Sequence, residues 1–402
     1  MRPVQGLRMQ GKSQRGQFLR AQELFTYGML GVFRRKERQD ENSMTRILTV
    51  NPQAPEPALI AEAADVIRTG GLVAFPTETV YGLGANALDA QAVAGIFAAK
   101  GRPAEDPLIV HLAAVEDLPR VVRHIPQTAL RLAQAFWPGP LTIILPRHAE
   151  LPAGVSAGLD TVAVRVPAHP VAQALLRAAG VPIAAPSANR FGFTSPTTAQ
   201  HVYRDLAGRI DMILDGGSPT VGVESTVLDI SVQPACILRP GGISREALAE
   251  VLGAVTVFSG AVDAEEEKPQ PSPGMLSRHY APRIPLTLFV SDDVQAVLGS
   301  MAAEAEGYLQ QGKRVGVLIA AEDRPAFVGL GVEISEVGAA GDAVQIAQNL
   351  YARLRGLDES GVDVILTRDF GEAGLGLAIR DRLQRAASRV VDVAQDSYSS
   401  VF

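Results

Sequence analysis

At 402 residues, 47% hydrophobic and 20% charged, the chain has enough apolar material for two ordinary domains, each with its own core. Its net charge of −6 excludes a mainly electrostatic nucleic-acid binder, which needs a basic excess to displace counterions from phosphate, and leaves room only for a local basic cleft. The single cysteine, Cys236, excludes an internal disulfide and a cysteine-rich zinc site and fits a reducing cytoplasm, and no run reaches the ~18–20 apolar residues of a membrane helix.

In chain order, residues 1–43 come first. Their apolar part, "AQELFTYGMLGVF", is interrupted and lies too far in for a targeting leader, and "RRKERQDENSM" follows it. The expectation is a disordered extension, with Met44 as a second candidate start. Residues 58–68 place apolar side chains at helical spacing and stop at Gly70-Gly71. "LVAFPTET" (72–79) reads as a buried strand running into a polar loop, 89–100 as a helix, and "LIVHLA" from 108 as a strand. Further strands are expected at 141–146, 161–167, 182–187, 212–217 and 225–230, with helices at 170–180 and 199–208. Strands interleaved with helices predict an α/β domain with a twisted mixed sheet over 50–258.

Residues 259–283 are rich in acid, proline, serine and glycine, the composition of a linker, although Arg278-His279-Tyr280-Ala281-Pro282 carries more chemistry than a spacer requires. From 284 to 402 the pattern resumes, with strands at 285–290, 314–320 and 362–370 and helices at 343–358 and 374–387. That predicts a smaller, Rossmann-like doubly wound domain. Two phosphate-loop patterns here fail on context: "GYLQQGK" (307–313) has Arg314 where magnesium needs a hydroxyl and precedes its strand, and "GEAGLGLAIRDRL" (371–383) lacks the third glycine.

The chemistry concentrates in the first domain. "FPTETVYGLG" puts Thr77, Glu78, Thr79 and Tyr81 straight after a strand, as ligand groups or as a capped turn. "KGRPAEDPL" offers Lys100 as a point charge, Gly101 for close backbone approach and Arg102 as a planar fork for phosphate oxygens; the plainer reading is positive charge at a helix C-terminus. "APSANRFGFTSPT" adds Ser187, Asn189 and Ser195, which are also ordinary turn residues. Arg165 stands in an apolar strand and requires an anionic partner, from the protein or from a substrate. "GVESTVLD" adds Glu224, Ser225 and Thr226. There is no Ser-His-Asp order, no histidine pair at metal spacing and no cysteine nucleophile. Cations and hydroxyls without a protein nucleophile suit a reaction in which one bound substrate attacks the phosphate of another.

These blocks, with "FWPGPLT", "GLDTVAVRVPAH", "LRPG" and "RHYAP", resemble the long form of the threonylcarbamoyl-AMP synthase family, a YrdC-like catalytic domain followed by a Sua-type domain, from about residue 50 to the C-terminus. The resemblance implies an enzyme joining L-threonine, bicarbonate or carbon dioxide, and ATP with magnesium into L-threonylcarbamoyl-AMP and pyrophosphate. That product supplies tRNA threonylcarbamoyl-transfer machinery, without a need for direct tRNA binding or a membrane. It places Thr79, His111, Arg165, Ala185 and Ser225 on L-threonine, with Arg165 on the carboxylate. It places Arg102, Asp106, Thr161, Ser187, Ser195, Arg239 and Tyr280 on ATP, and Lys100, Arg102, Ser187 and Asn189 in its catalytic Lys-x-Arg and Ser-x-Asn pattern. It names no cluster of metal ligands. Some relatives have asparagine in place of Asp106, where a carboxylate could hold magnesium or cap a turn but repels a bare phosphate. The Tyr280 block is expected to fold over the cleft as a lid that keeps water from a labile adenylate. The competing readings are carbamoyl-adenylate formation from carbamoyl phosphate and a non-enzymatic RNA-binding module.

Overall fold

A computed structural model describes residues 44–258, 270, 272, 274 and 279–396. The expectation for residues 1–43, and that for most of the linker, lie outside the described residues. The first sheet has eleven strands: β1 (Arg46–Thr49), β2 (Val73–Pro76), β3 (Tyr81–Asn86), β4 (Ile109–His111), β5 (Leu141–Pro146), β6 (Thr161–Arg165), β7 (Ile183–Ala184), β8 (Met212–Asp215), β9 (Thr226–Asp229), β10 (Ala235–Arg239) and β11 (Val255–Val257). Their order across the sheet is β1-β8-β2-β3-β7-β4-β6-β5-β9-β10-β11. Pairings such as β4 with β6 are parallel and β2 with β3 antiparallel, so the sheet is mixed, as expected.

Strand β2 reads as an unbroken apolar run because both its faces are covered. Val73 and Phe75 pack beneath the helices Pro57–Arg68 and Pro170–Ala179, against Ile60, Ile67, Leu175 and Leu176. Leu72 and Ala74 face the other core, with Val93 and Ile96 of the helix Ala90–Lys100. Strand β3 was not legible, because Gly82 and Gly84 weaken strand propensity. Crowding requires the second: a Cβ on Gly84 would lie 2.7 Å from Phe75 and 2.8 Å from Ile183. The helices Gln127–Phe136 and Val294–Gln310 and the edge strand β1, largely exposed, were likewise missed; "GYLQQGK" closes the second of these helices, as a helix end.

The second sheet comprises β12 (Leu286–Val290), β13 (Val315–Ile319), β14 (Glu333–Glu336), β15 (Val364–Arg368) and β16 (Arg389–Asp392), all parallel, in the order β14-β13-β15-β12-β16. Helix Val294–Gln310 covers one face through Val297 and Met301, and the helices Ala343–Ser360 and Gly376–Ala386 cover the other, which makes it doubly wound. The glycine-rich stretch before Gly376 is not an anion cradle. Arg368 is bonded to Asp323 at 2.7 and 3.2 Å, and Arg380 pairs with Asp369 and Glu372.

The two sheets meet through helix Ala343–Ser360. Its Leu350 and Tyr351 share a core cluster with Val80, Val223 and Tyr280. Gln348 Nε2 donates to the Thr220 carbonyl at 2.6 Å, and a Cβ on Gly222 would lie 2.3 Å from the Ala347 carbonyl oxygen, so backbone meets helix directly.

Candidate active site

A cleft opens on the first sheet. Among the predicted residues, Thr79, Arg102, His111, Arg165, Ala185, Ser187, Ser225, Arg239 and Tyr280 line it, joined by Thr77, Glu224 and His279. These come from eight separate stretches of sequence, brought together only by the fold.

At one end stand His111 and Arg165, direct partners in the β4–β6 pairing, so their side chains share a face. Arg165 is buried, and its fork is held: Nε donates to Gly139 O at 3.2 Å, Nη1 to Thr79 Oγ1 at 3.0 Å, and Nη2 lies 2.6 Å from Glu78 Oε1. The anionic partner that the sequence demanded is thus Glu78, which orients the guanidinium from outside the lining of the cavity. The turn after β2 is closed by Thr77, whose hydroxyl reaches Val80 O at 2.7 Å and Thr79 Oγ1 at 2.8 Å. The turn reading and the ligand reading therefore describe the same residues. His111 has a buried Nδ1 without a hydrogen bond among the described residues. Burial, and then the charge of Arg165, push its pKa down to about 3, so the imidazole is neutral near pH 7.

In the middle lies the Lys100 corner. Gly101 adopts φ 66°, and a Cβ there would meet nothing within 4 Å, so the glycine is set by the left-handed helix cap and not by crowding. Lys100 does not line the cavity. Its Nζ donates to Ser187 O at 2.6 Å and Asn189 O at 2.5 Å, fixing the Ser187-Ala188-Asn189 loop. Burial, and then neighbouring Arg102, lower its pKa well below the ordinary lysine value. Arg102 does line the cavity, with Nε on Asp106 O at 3.0 Å and Nη2 on Pro107 O at 2.7 Å. Asp106 lies behind it, 2.8 Å from Nη2, buried and outside the lining. Burial raises the Asp106 pKa, while Arg102, Lys100 and Arg239 pull it back, which marks it as the counter-charge of this cationic corner. Asn189 is also set back, donating to Arg190 O and Phe193 O at 2.8 and 2.7 Å.

At the other end, Arg239 donates to Ser225 O at 3.0 Å and Ser225 Oγ at 3.2 Å, and Ser225 Oγ also meets Thr142 Oγ1 at 2.8 Å. Glu224 accepts from Ser195 Oγ at 2.5 Å, Tyr351 Oη at 2.9 Å and Arg382 Nε at 2.7 Å. Burial alone would raise its pKa, but Arg382, Arg239 and these hydrogen bonds outweigh it and hold the carboxyl at about 2. Ser195 reaches the site only through Glu224. Tyr280 has φ 61°, unusual for a bulky residue, and its buried hydroxyl has no hydrogen bond among the described residues. Thr161 sits at the far end of β6 from Arg165, about 13 Å along the strand, and is not brought to the cavity.

Sequence reading gave no role to Glu224 and did not single out Tyr351 or Arg382. Both latter residues lie in helices of the second sheet, and helical periodicity marks only which face is buried. No group of three or more His, Cys, Asp or Glu that could hold a metal ion occurs among the described residues. With Asp106 and Glu224 both ion-paired, the cavity offers guanidinium groups and hydroxyls and no free carboxylate from either residue. No helix among the described residues is long and apolar enough to cross a membrane.

Such a cationic, hydroxyl-rich lining defines a site for small anionic molecules. Comparison with known proteins agrees. A Sua5/YciO/YrdC family profile, described as telomere recombination, matches residues 65–241, and a profile for the C-terminal domain of threonylcarbamoyl-AMP synthase matches 243–388. The threonylcarbamoyl-AMP synthase of Pyrococcus abyssi is 45% identical over 355 residues, covering 87% of this chain and 100% of that one. That of Bacillus subtilis is 46% identical over 331 residues, covering 82% and 92%. A crystal structure of P. abyssi Sua5 complexed with L-threonine superposes with a TM-score of 0.81 at 43% identity, over 87% of this chain and 99% of that one. The chain belongs to the threonylcarbamoyl-AMP synthase family and is an enzyme of its long, two-domain form.

Proposed function

We propose that the chain makes L-threonylcarbamoyl-AMP and pyrophosphate from L-threonine, bicarbonate and ATP. The observation that carries this reading is the convergence of a tethered arginine, a neutral histidine, two further arginines and several hydroxyls on one cleft. The threonine-bound P. abyssi relative supports the amino acid as one of them.

In this reading the threonine carboxylate sits on Arg165 and Thr79, and Glu78 keeps the guanidinium aimed. Ala185 leaves space beside it. Neutral His111 accepts a hydrogen bond from the amine without adding a second positive charge to that end. The deprotonated amine adds to carbon dioxide, giving a carbamate and releasing a proton; one carbamate oxygen then attacks the α-phosphorus, and the bond to the pyrophosphate oxygen breaks. Arg102, Arg239 and Ser187 meet the triphosphate, which arrives with magnesium as part of the substrate, and neutralise the leaving group. Lys100 acts one layer back, by holding the carbonyls that place Ser187 and Asn189. Tyr280 stands over the nucleotide, beside Ala281, whose N–H donates to Gly192 O at 3.0 Å. A carbamoyl-adenylate hydrolyses readily, so a closed site preserves it for the cytoplasmic tRNA threonylcarbamoyl-transfer machinery that consumes it.

The test is incubation with labelled threonine, bicarbonate, ATP and magnesium. The expected result is a labelled adenylate, with pyrophosphate released only when both threonine and bicarbonate are present. Pyrophosphate release that needs carbamoyl phosphate instead, or salt-sensitive RNA binding with no response to threonine, would overturn the reading.

A further inference from the structure

Arg382 is among the most buried side chains of the protein, yet it comes from helix Gly376–Ala386, on the second sheet. It touches three segments of the cavity wall at once. Nε donates to Glu224 Oε2 at 2.7 Å, Nη2 donates to Pro240 O at 2.9 Å beside Arg239, and the guanidinium carbon lies 4.7 Å from the ring centroid of Tyr280. Asp381 supplies a second carboxylate to the same guanidinium. Tyr351, from helix Ala343–Ser360, completes the arrangement by donating to Glu224 and stacking on Tyr280, with centroids 6.2 Å apart.

The distribution of these contacts is uneven. The cavity segments that Arg382 touches carry or adjoin three residues placed on the nucleotide, Ser195 through Glu224, Arg239 through Pro240 and Tyr280 directly, against one placed on threonine, Ser225 next to Glu224. The Arg165 end is braced instead by Glu78 and Gly139, both from the first sheet and its loops. A cation–π contact and two charge-assisted hydrogen bonds from one planar fork fix the relative positions of three backbone segments, which a lysine could not do.

Resting on the proposed function, we infer that Arg382 is a positioning residue for the nucleotide. It locks the Glu224 loop, the strand end at Pro240 and the Tyr280 lid into one wall, so the second domain sets ATP affinity and leaves threonine affinity to the first. Glu224 is then a structural anion within a nucleotide site, tolerated there because Arg382 neutralises it.

The experiment uses the full-length chain and measures the KM for ATP and for threonine separately, from pyrophosphate release, alongside thermal unfolding. Arg382→Met is expected to raise the ATP KM at least about tenfold and the threonine KM less than about twofold, and Arg382→Lys, which keeps the charge but not the fork, to fall between. A merely structural role would lower kcat with the folded fraction and leave both KM values unchanged, and that outcome overturns the inference. Should Arg382→Met fail to fold, the double variant Glu224→Gln/Arg382→Met, which removes both charges together, is read by the same two outcomes. Wild-type protein that releases no pyrophosphate with threonine sinks the proposed function itself, whereas an active wild type with unchanged ATP KM in the variants sinks this inference alone.

Discussion

The two ends of the cavity are built on opposite plans. At the Arg165 end every partner of the guanidinium is local to the first sheet: Glu78 and Thr79 come from the turn after β2, Gly139 from the loop before β5, and His111 stands on the neighbouring strand. At the Arg239 end first-sheet contacts to Ser225 are joined by braces on Glu224 from residues 351 and 382, more than a hundred positions away in the chain. A site for a small, rigid amino acid can be preformed by one sheet, while a site that must admit and then enclose a triphosphate can be finished by a second body carrying part of its wall.

The strongest way to sharpen that contrast is Arg165→Lys. It keeps the charge but breaks the fork shared by Glu78, Thr79 and substrate, and kcat/KM for threonine should fall ~100-fold while the ATP KM stays within about twofold. A parallel loss for ATP would show that the ends are not separable. Full removal of Arg165 is less informative, because Glu78 would be left buried and unpaired at a cost of ~3–5 kcal/mol.

Lys100→Met probes the corner between the ends. Losing two charge-assisted bonds, each worth ~1.5–3 kcal/mol, should free the Ser187–Asn189 loop, lower kcat ~30-fold and disturb both KM values. A change confined to ATP would return Lys100 to the phosphates.

Acid separates the ends by pH. His111 has a folded pKa of about 3 against an ordinary 6.5, so the unfolded chain binds the extra proton and His111 costs stability as pH falls from ~6.5 towards 3. Glu224 has a folded pKa of about 2 against 4.5, so its contribution is present above ~4.5 and lost only as pH falls towards 2. Urea unfolding at pH 7, 6.2 and 5.5 should show His111→Asn losing up to about one proton's worth of slope in this range, while Glu224→Gln loses almost none. Equal slopes in wild type and His111→Asn would mean that His111 is not held neutral by the fold.

The smallest expected effect belongs to Tyr280→Phe. Removing a buried hydroxyl that has no hydrogen bond among the described residues should leave unfolding stability unchanged or raise it by up to ~1 kcal/mol, yet raise the ATP KM about threefold to fivefold. A loss of stability without a change in KM would assign the hydroxyl to the fold and remove it from the ligand.

The sequence by itself determined the mixed α/β character, most of the strands and helices, and the stretches that meet at the cavity, because buried strands must be apolar and the polar turns that interrupt them are visible against that background. It determined that Arg165 needs an anion, since a charge in an apolar strand cannot stay unpaired. It could not choose between a protein carboxylate and a substrate. Only the tertiary structure decided that Glu78 takes that place, that Lys100 holds a loop while Arg102 faces the cavity, and that Asp106 balances both. Only the tertiary structure brought Tyr351 and Arg382 to Glu224. Helical periodicity records that a side chain is buried and says nothing about which distant chain segment buries it, so the half of the site supplied by the second domain had no local signature to read.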